Sequence, residues 1–166
     1  MRSSPARWLS SFWASGWVLH SVRSAVAAVV SLLVAKLLKM PEAYWAAITT
    51  IVVMQSSLGA AWPQSIERFA GDALGCASGA AVASFLPPSW LVYGVGIFAL
   101  GLTCAALRLN RSAYRFAGLT FTIVILLNRP EKPVVIALHR FLEVSLGIAV
   151  GLAMTALWPE REPTGS

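Results

Sequence analysis

The chain has 166 residues, of which 57% are hydrophobic and 12% charged, and its mean hydropathy is +0.70. This composition excludes an ordinary soluble domain and predicts a single all-α membrane domain. The net charge of +6 does not indicate nucleic-acid binding, because the basic residues are scattered singly between apolar segments.

The sequence contains no recognisable catalytic or metal-binding set. Cys76 and Cys104 both lie in apolar runs, where a thiol behaves as a small hydrophobe. No CxxC pair, Ser/His/Asp set or glycine-rich phosphate loop is present. We therefore expect neither a cofactor nor enzymatic activity.

The first 16 residues predict a short interfacial helix before the first span. Apolar residues recur there with helical spacing: Trp8, Leu9, Phe12, Trp13 and Trp17. A secretory signal peptide is the competing interpretation, but His20 and Arg23 interrupt its core and no persuasive cleavage site follows. We therefore assign the segment to the mature protein.

Six apolar segments between residues 17 and 159 predict six transmembrane helices. They run from Trp17 to Leu38, Ala43 to Leu58, Phe69 to Leu86, Trp90 to Leu107, Phe116 to Leu127 and Val134 to Trp158. Prolines separate them, at Pro41, Pro63, Pro87, Pro88, Pro130 and Pro133. Residues 160–166 form a polar tail. A cytoplasmic N-terminus places eight basic residues inside and five outside, which favours both termini in the cytoplasm.

The chain repeats itself at a spacing of 72 residues, with ERFAGDALGCASGAAVASFLP aligned on HRFLEVSLGIAVGLAMTALWP. Arg68 aligns with Arg140 in this comparison, and a weaker echo aligns Ala47 with Ala117 and Thr50 with Thr120. The unit has three spans, so its second copy must enter the membrane from the opposite side. We therefore predict two inverted repeats, 17–87 and 90–159, with a substrate path at their interface.

Glycines recur four residues apart in the third and sixth spans. These glycines are Gly71, Gly75 and Gly79, followed by Gly147 and Gly151. GxxxG spacing favours close helix packing, which we expect to be their role.

Charged residues head the same two spans. Asp72 follows Arg68 by four residues and Glu143 follows Arg140 by three, which places each acid on the helical face of its arginine. The length of the third span puts Arg68 near the inner mouth and, by inversion, Arg140 near the outer mouth. Two interpretations are open. The arginines anchor in headgroups and the acids only lower the free-energy cost of membrane insertion, or all four charged residues line a polar cavity.

Further polar residues join this hypothesis. Gln55 and Thr50 lie in the second span, where we expect them to line the path. His139 precedes Arg140 and is a possible proton site together with Asp72 and Glu143, although a lone surface histidine is more often solvated. Arginines at a pore mouth bind carboxylates, which favours an organic anion as the substrate.

The segment YWAAITTIVVMQSSLGAAWPQSIERFAGDALGCASGA, residues 44–80, resembles the signature region of the fusaric acid resistance and aromatic acid exporter superfamily. HRFLEVSLGIAVGLAMTALWP resembles its arginine-headed final span, and the pattern is similar to the membrane part of plant aluminium-activated malate transporters. This resemblance implies passage of organic anions, a homodimer, and Arg68 and Arg140 as the matching arginines. The chain departs from the family pattern at Ser56 and Asp72, where proline and threonine are common.

Long members of that superfamily also carry a sizeable cytoplasmic domain, whereas this sequence ends at EREPTGS. We expect regulation by such a domain to be absent or supplied by a partner. The leading hypothesis is a six-span inner-membrane channel or exporter of organic anions. Proton-coupled efflux and a membrane interaction subunit that transports nothing are the alternatives.

Overall fold

The computed structural model of the chain describes residues 17–55, 57–127 and 131–159. Helices are the only regular elements in these ranges: α1 (Trp17–Leu37), α2 (Tyr44–Val53), α3 (Leu58–Phe85), α4 (Trp90–Ala106), α5 (Arg111–Leu126) and α6 (Pro133–Leu157). The expected interfacial helix over 1–16 and the polar tail 160–166 lie outside the described residues. The all-α class and the order of the six elements agree with the sequence.

Two of these helices are long and apolar enough to cross a membrane. They are α1, with 21 residues and a mean hydropathy of 1.9, and α6, with 25 residues and a mean hydropathy of 1.7. The apolar helices α2 and α4 are shorter, with 10 and 17 residues. At about 1.5 Å per residue, α2 reaches only about half of the roughly 30 Å hydrocarbon layer.

The boundary between α2 and α3 differs from the sequence prediction. Helix α2 ends at Val53 rather than Leu58, and α3 begins at Leu58 rather than Phe69. Ser57 caps α3 by accepting a hydrogen bond from the amide of Ala60 at 3.4 Å. Pro63 lies inside α3, where its missing N–H removes only the bond to the carbonyl four residues earlier.

Apolar side chains cover much of the outside of the bundle, whereas six charged side chains lie within it. Large hydrophobic residues are exposed along the helices, for example Val29, Leu33, Val95, Phe98 and Leu138. Six charged residues are at most 5% exposed: Arg23, Glu42, Arg68, Asp72, Arg140 and Glu143. This distribution is the reverse of that in a soluble protein and fits a bundle surrounded by lipid.

The third helix of each half packs parallel to the second helix of the other half. Successive glycines of α3, from Gly71 to Gly79, meet successive turns of α5, and Gly147 and Gly151 of α6 meet α2 in the same way. Helices α3 and α6 are antiparallel, because Phe69 contacts Phe141 while Cys76 contacts Ala137. Each half therefore contributes its third helix to the other half: α3 packs on α5, and α6 packs on α2.

The glycines permit these contacts at matching positions. A Cβ atom added at Gly75 would lie 2.4 Å from the carbonyl oxygen of Ala117, and one added at Gly147 would lie 2.4 Å from that of Ala46. Ala46 on α2 and Ala117 on α5 therefore occupy equivalent positions, 71 residues apart, since each faces a glycine of the neighbouring helix. The sequence comparison aligned Ala47 with Ala117, and that register was off by one residue.

Candidate functional site

Five buried charged residues gather where α3 crosses α6, and we call them the central cluster: Glu42, Arg68, Asp72, Arg140 and Glu143. Arg140 interacts electrostatically with Asp72, Glu143 and Glu42, and Arg68 with Asp72 and Arg140. Helices α3 and α6 and the turn before α2 thus bring charges from both halves of the chain into one site.

Arg68 is held between α2 and α5. Its Nη2 atom donates a hydrogen bond to Thr49 Oγ1 at 3.3 Å. Its guanidinium carbon lies 4.6 Å from the ring centroid of Phe116. The residue is only 3% exposed, so the bundle encloses it almost completely.

Arg140 stacks on an aromatic ring but donates no hydrogen bond within the described part of the chain. Its guanidinium carbon lies 3.6 Å from the ring centroid of Trp45, the second residue of α2. The residue is 1% exposed, and Nε, Nη1 and Nη2 have no hydrogen-bond acceptor there. A buried guanidinium without acceptors is costly, because its donors have lost water without replacement.

Asp72 joins α3 to α5 at the centre of the bundle. Thr120 Oγ1 donates to Asp72 Oδ1, and Cys76 Sγ lies 3.8 Å from Oδ2. The same thiol donates to the carbonyl oxygen of Ala137 on α6 at the shorter distance of 3.1 Å. Asp72 is fully buried and interacts electrostatically with both Arg68 and Arg140.

The side chain of Glu143, on α6, reaches the N-terminal end of α2. Its Oε1 atom accepts a hydrogen bond of 2.7 Å from the backbone amide of Glu42, in the turn that leads into the helix. The carboxylate of Glu42 in turn accepts a hydrogen bond from Tyr44. A carboxylate is favoured at this end of a helix by the partial positive charge of the helix dipole.

The two arginines lie side by side. The prediction that they occupy opposite mouths was therefore wrong. Phe69 and Phe141 follow them directly, and the two ring centroids are 5.1 Å apart. Because α3 begins at Leu58, Arg68 is already in its third turn, and Arg140 is likewise well inside α6. The antiparallel crossing of α3 and α6 therefore brings the two arginines together.

The other predicted path residues, Thr50 and Gln55, contact α6 and α1. Thr50 Oγ1 donates to the carbonyl oxygens of Ala46 at 2.9 Å and Gly147 at 3.0 Å, so it joins α2 to α6. Gln55 follows the end of α2, and its backbone oxygen accepts a hydrogen bond of 2.7 Å from Arg23 Nη2. His139 is half-buried beside Arg140, and no described hydrogen bond joins it to the acids.

Three residues around these charges were not predicted from the sequence: Glu42, Trp45 and Phe116. Arg23, one of the eight basic residues counted on the inner side, is also fully buried. Trp45 and Phe116 are 71 residues apart, and each lies under one arginine. Aligning α2 with α5 in the correct register would have revealed these two aromatic residues together.

Comparison with known proteins places this chain in a family. The chain is 28% identical to "Inner membrane protein YeeA" of Escherichia coli (strain K12) over 146 residues, which are 87% of this chain and 42% of the relative. It is 27% identical to "Uncharacterized protein slr1298" of Synechocystis over 141 residues, which are 83% of this chain and 19% of that relative. The chain therefore matches less than half the length of either relative, and no solved structure matches it significantly. Residues 25–154 match the family described as fusaric acid resistance protein-like, and the chain belongs to this family.

Proposed function

We propose that the chain forms the membrane part of a channel or exporter for organic anions, with aromatic carboxylates as the leading substrate class. The family is described by resistance to fusaric acid, which is itself an aromatic carboxylic acid. A relative named as an inner membrane protein supports the same location for this chain. Arg68 and Arg140 are the residues to which we assign substrate binding.

The observation that carries this proposal is the unsatisfied guanidinium of Arg140. It is 1% exposed and none of its nitrogens has an acceptor within the described residues, yet Trp45 holds its plane in place. A guanidinium binds a carboxylate through two parallel hydrogen bonds, which would satisfy donors that the protein leaves without acceptors. Arg68 lies close enough to add a second positive charge.

The architecture supports a path between two inverted repeats. The matching contacts of Gly75 with α5 and of Gly147 with α2 fit a two-fold axis in the membrane plane, with α3 and α6 crossing at that axis. Transporters with such repeats bind substrate near the midplane, where the central cluster would then lie. We retain the homodimer and the cytoplasmic location of both termini as parts of this proposal.

Proton-coupled efflux is the second candidate, because the acids of the central cluster outnumber its arginines. Two arginines face three acids, Glu42, Asp72 and Glu143. A substrate carboxylate would add another negative charge to this buried site. That excess charge is costly unless one of the acids binds a proton. Asp72, Glu143 and the adjacent His139 are the proton sites that this mechanism would use.

Flux of radiolabelled benzoate into proteoliposomes tests the proposal. We expect Arg68→Ala and Arg140→Ala each to lower the flux at least about tenfold, the loss expected from removing a charged hydrogen-bond donor. Arg115→Ala is the matched control, since Arg115 lies exposed on α5. Unchanged flux in both cluster variants would refute the site assignment, and no flux from folded wild-type protein would favour the interaction subunit.

A pH gradient separates the two transport mechanisms. A channel responds only to the electrochemical gradient of the anion, so its flux should not change when a pH gradient is imposed at constant membrane potential. Coupled efflux should accumulate benzoate against its gradient, and Asp72→Asn should abolish that accumulation.

A further inference from the structure

The carboxylate of Glu143 occupies the position in the central cluster that is best suited to an external carboxylate. We infer that Glu143 is a resident competitor for the anion-binding site, which a substrate displaces from the N-terminal end of α2, so that Glu143 limits the affinity of the site. This inference rests on the proposed function and adds regulation of the same site.

Two kinds of anion-binding group meet at this position. The backbone amide of Glu42 points out of the turn that leads into α2, and Glu143 Oε1 accepts its hydrogen bond at 2.7 Å. The guanidinium of Arg140 lies over Trp45, the second residue of the same ten-residue helix. A helix N-terminus and a guanidinium both favour a negative charge.

Glu143 uses only part of this site. Its Oε1 atom accepts a hydrogen bond from the amide of Glu42, but the nitrogens of Arg140 donate no hydrogen bond to this carboxylate, although the two residues are only three positions apart on α6. A free carboxylate is not tethered to α6 and can align with the guanidinium and the amide at once. The substrate therefore gains hydrogen bonds that the resident carboxylate does not make.

A purely structural role for Glu143 predicts the opposite effect of mutation. If the carboxylate only fastened α6 to the turn before α2, its loss would weaken folding and anion binding together. If it competes with substrate, removing its charge strengthens anion binding. Glu143→Gln distinguishes these roles, because the amide oxygen can still accept the hydrogen bond from Glu42 while the charge is gone.

Isothermal titration calorimetry of the purified full chain in lipid nanodiscs measures the Kd for benzoate. We expect Glu143→Gln to lower the Kd for benzoate by about tenfold, the effect of losing one charge-assisted competitor. Benzamide, which has the same shape without the charge, should not bind either protein. Glu67→Gln is the matched control, since that acid lies on α3 and accepts a hydrogen bond from Asn110 outside the cluster.

Glu143→Asp is the second variant if Glu143→Gln does not fold. It keeps the charge but withdraws the carboxylate from the Glu42 amide, so we expect a smaller decrease in Kd. An unchanged or higher Kd in the folded variants, with wild-type flux intact, would overturn the competitor role and leave the transport proposal standing. Absence of benzoate binding and benzoate flux in wild type and variants alike would overturn both.

Discussion

Arg140 stacks on Trp45, with its guanidinium carbon 3.6 Å from the ring centroid. The related pair of Arg68 and Phe116 is separated by 4.6 Å. Attraction between a guanidinium and an aromatic face strengthens when both are removed from water, and tryptophan offers the strongest face. The two pairs therefore differ in a way that can be measured.

A double-mutant cycle on Arg140→Met and Trp45→Leu should give a coupling of about 2 kcal/mol in the free energy of unfolding, the value for a desolvated pair. The cycle on Arg68→Met and Phe116→Leu should give about half of that, because phenylalanine is the weaker partner and lies farther away. Reversible unfolding in mixed micelles measures both. Equal couplings would show that ring identity and distance do not control these contacts.

Two glycine substitutions should be equally harmful although they lie in different helices. Gly75→Ala and Gly147→Ala each force a Cβ to within 2.4 Å of a backbone oxygen on a parallel helix, so the helices must separate. We expect each to lower the free energy of unfolding by about 1–3 kcal/mol, the usual cost of overpacking.

Gly94→Ala is the control for these substitutions, because a Cβ at Gly94 meets nothing within 4 Å. It should be neutral or slightly stabilising, since alanine is the better helix former. Thermal denaturation in detergent, followed by the loss of monodisperse protein, compares the three variants. Similar melting temperatures for all three would contradict the close approach of α3 to α5 and of α6 to α2.

The antiparallel crossing of α3 and α6 can be tested by cross-linking. In a background of Cys76→Ala and Cys104→Ala, the pair Phe69→Cys and Phe141→Cys should react with a short bis-thiol reagent, because the native rings are 5.1 Å apart. The product should have the mass of one chain. Phe69→Cys combined with Leu157→Cys, at the far end of α6, is the control. Preferential cross-linking of the control pair would place the arginines at opposite ends after all.

The sequence was sufficient to predict the helical class, the order of the elements and the family. Long apolar runs and prolines determine these features locally, and α1 and α4 follow their predicted bounds within one residue. Pro63 was misleading, because a proline near the start of a helix removes only one internal hydrogen bond. Treating Pro63 as a helix boundary placed the predicted start of α3 at Phe69 instead of Leu58, and it therefore placed Arg68 at the end of the helix.

The central cluster was only partly predictable because its partners come from distant parts of the chain. Arg68, Asp72, Arg140 and Glu143 were recognised from their positions in apolar helices. Glu42 lies in a turn and not in an apolar helix, so its position in the sequence did not mark it. Its backbone amide nevertheless donates a hydrogen bond to Glu143, 101 positions away. Which face of each helix turns inward depends on the packing between halves, which no local pattern contains.

The exchange of third helices also affects how the protein is made. Asp72 enters the bilayer with the first half of the chain, whereas the hydroxyl that it binds, on Thr120, is synthesised later. During translation the first half therefore carries an acid whose hydrogen-bond partner has not yet left the ribosome. We therefore expect the first half to pack stably only after the second half has been made, so a truncated first half should be a substrate for membrane quality-control proteases.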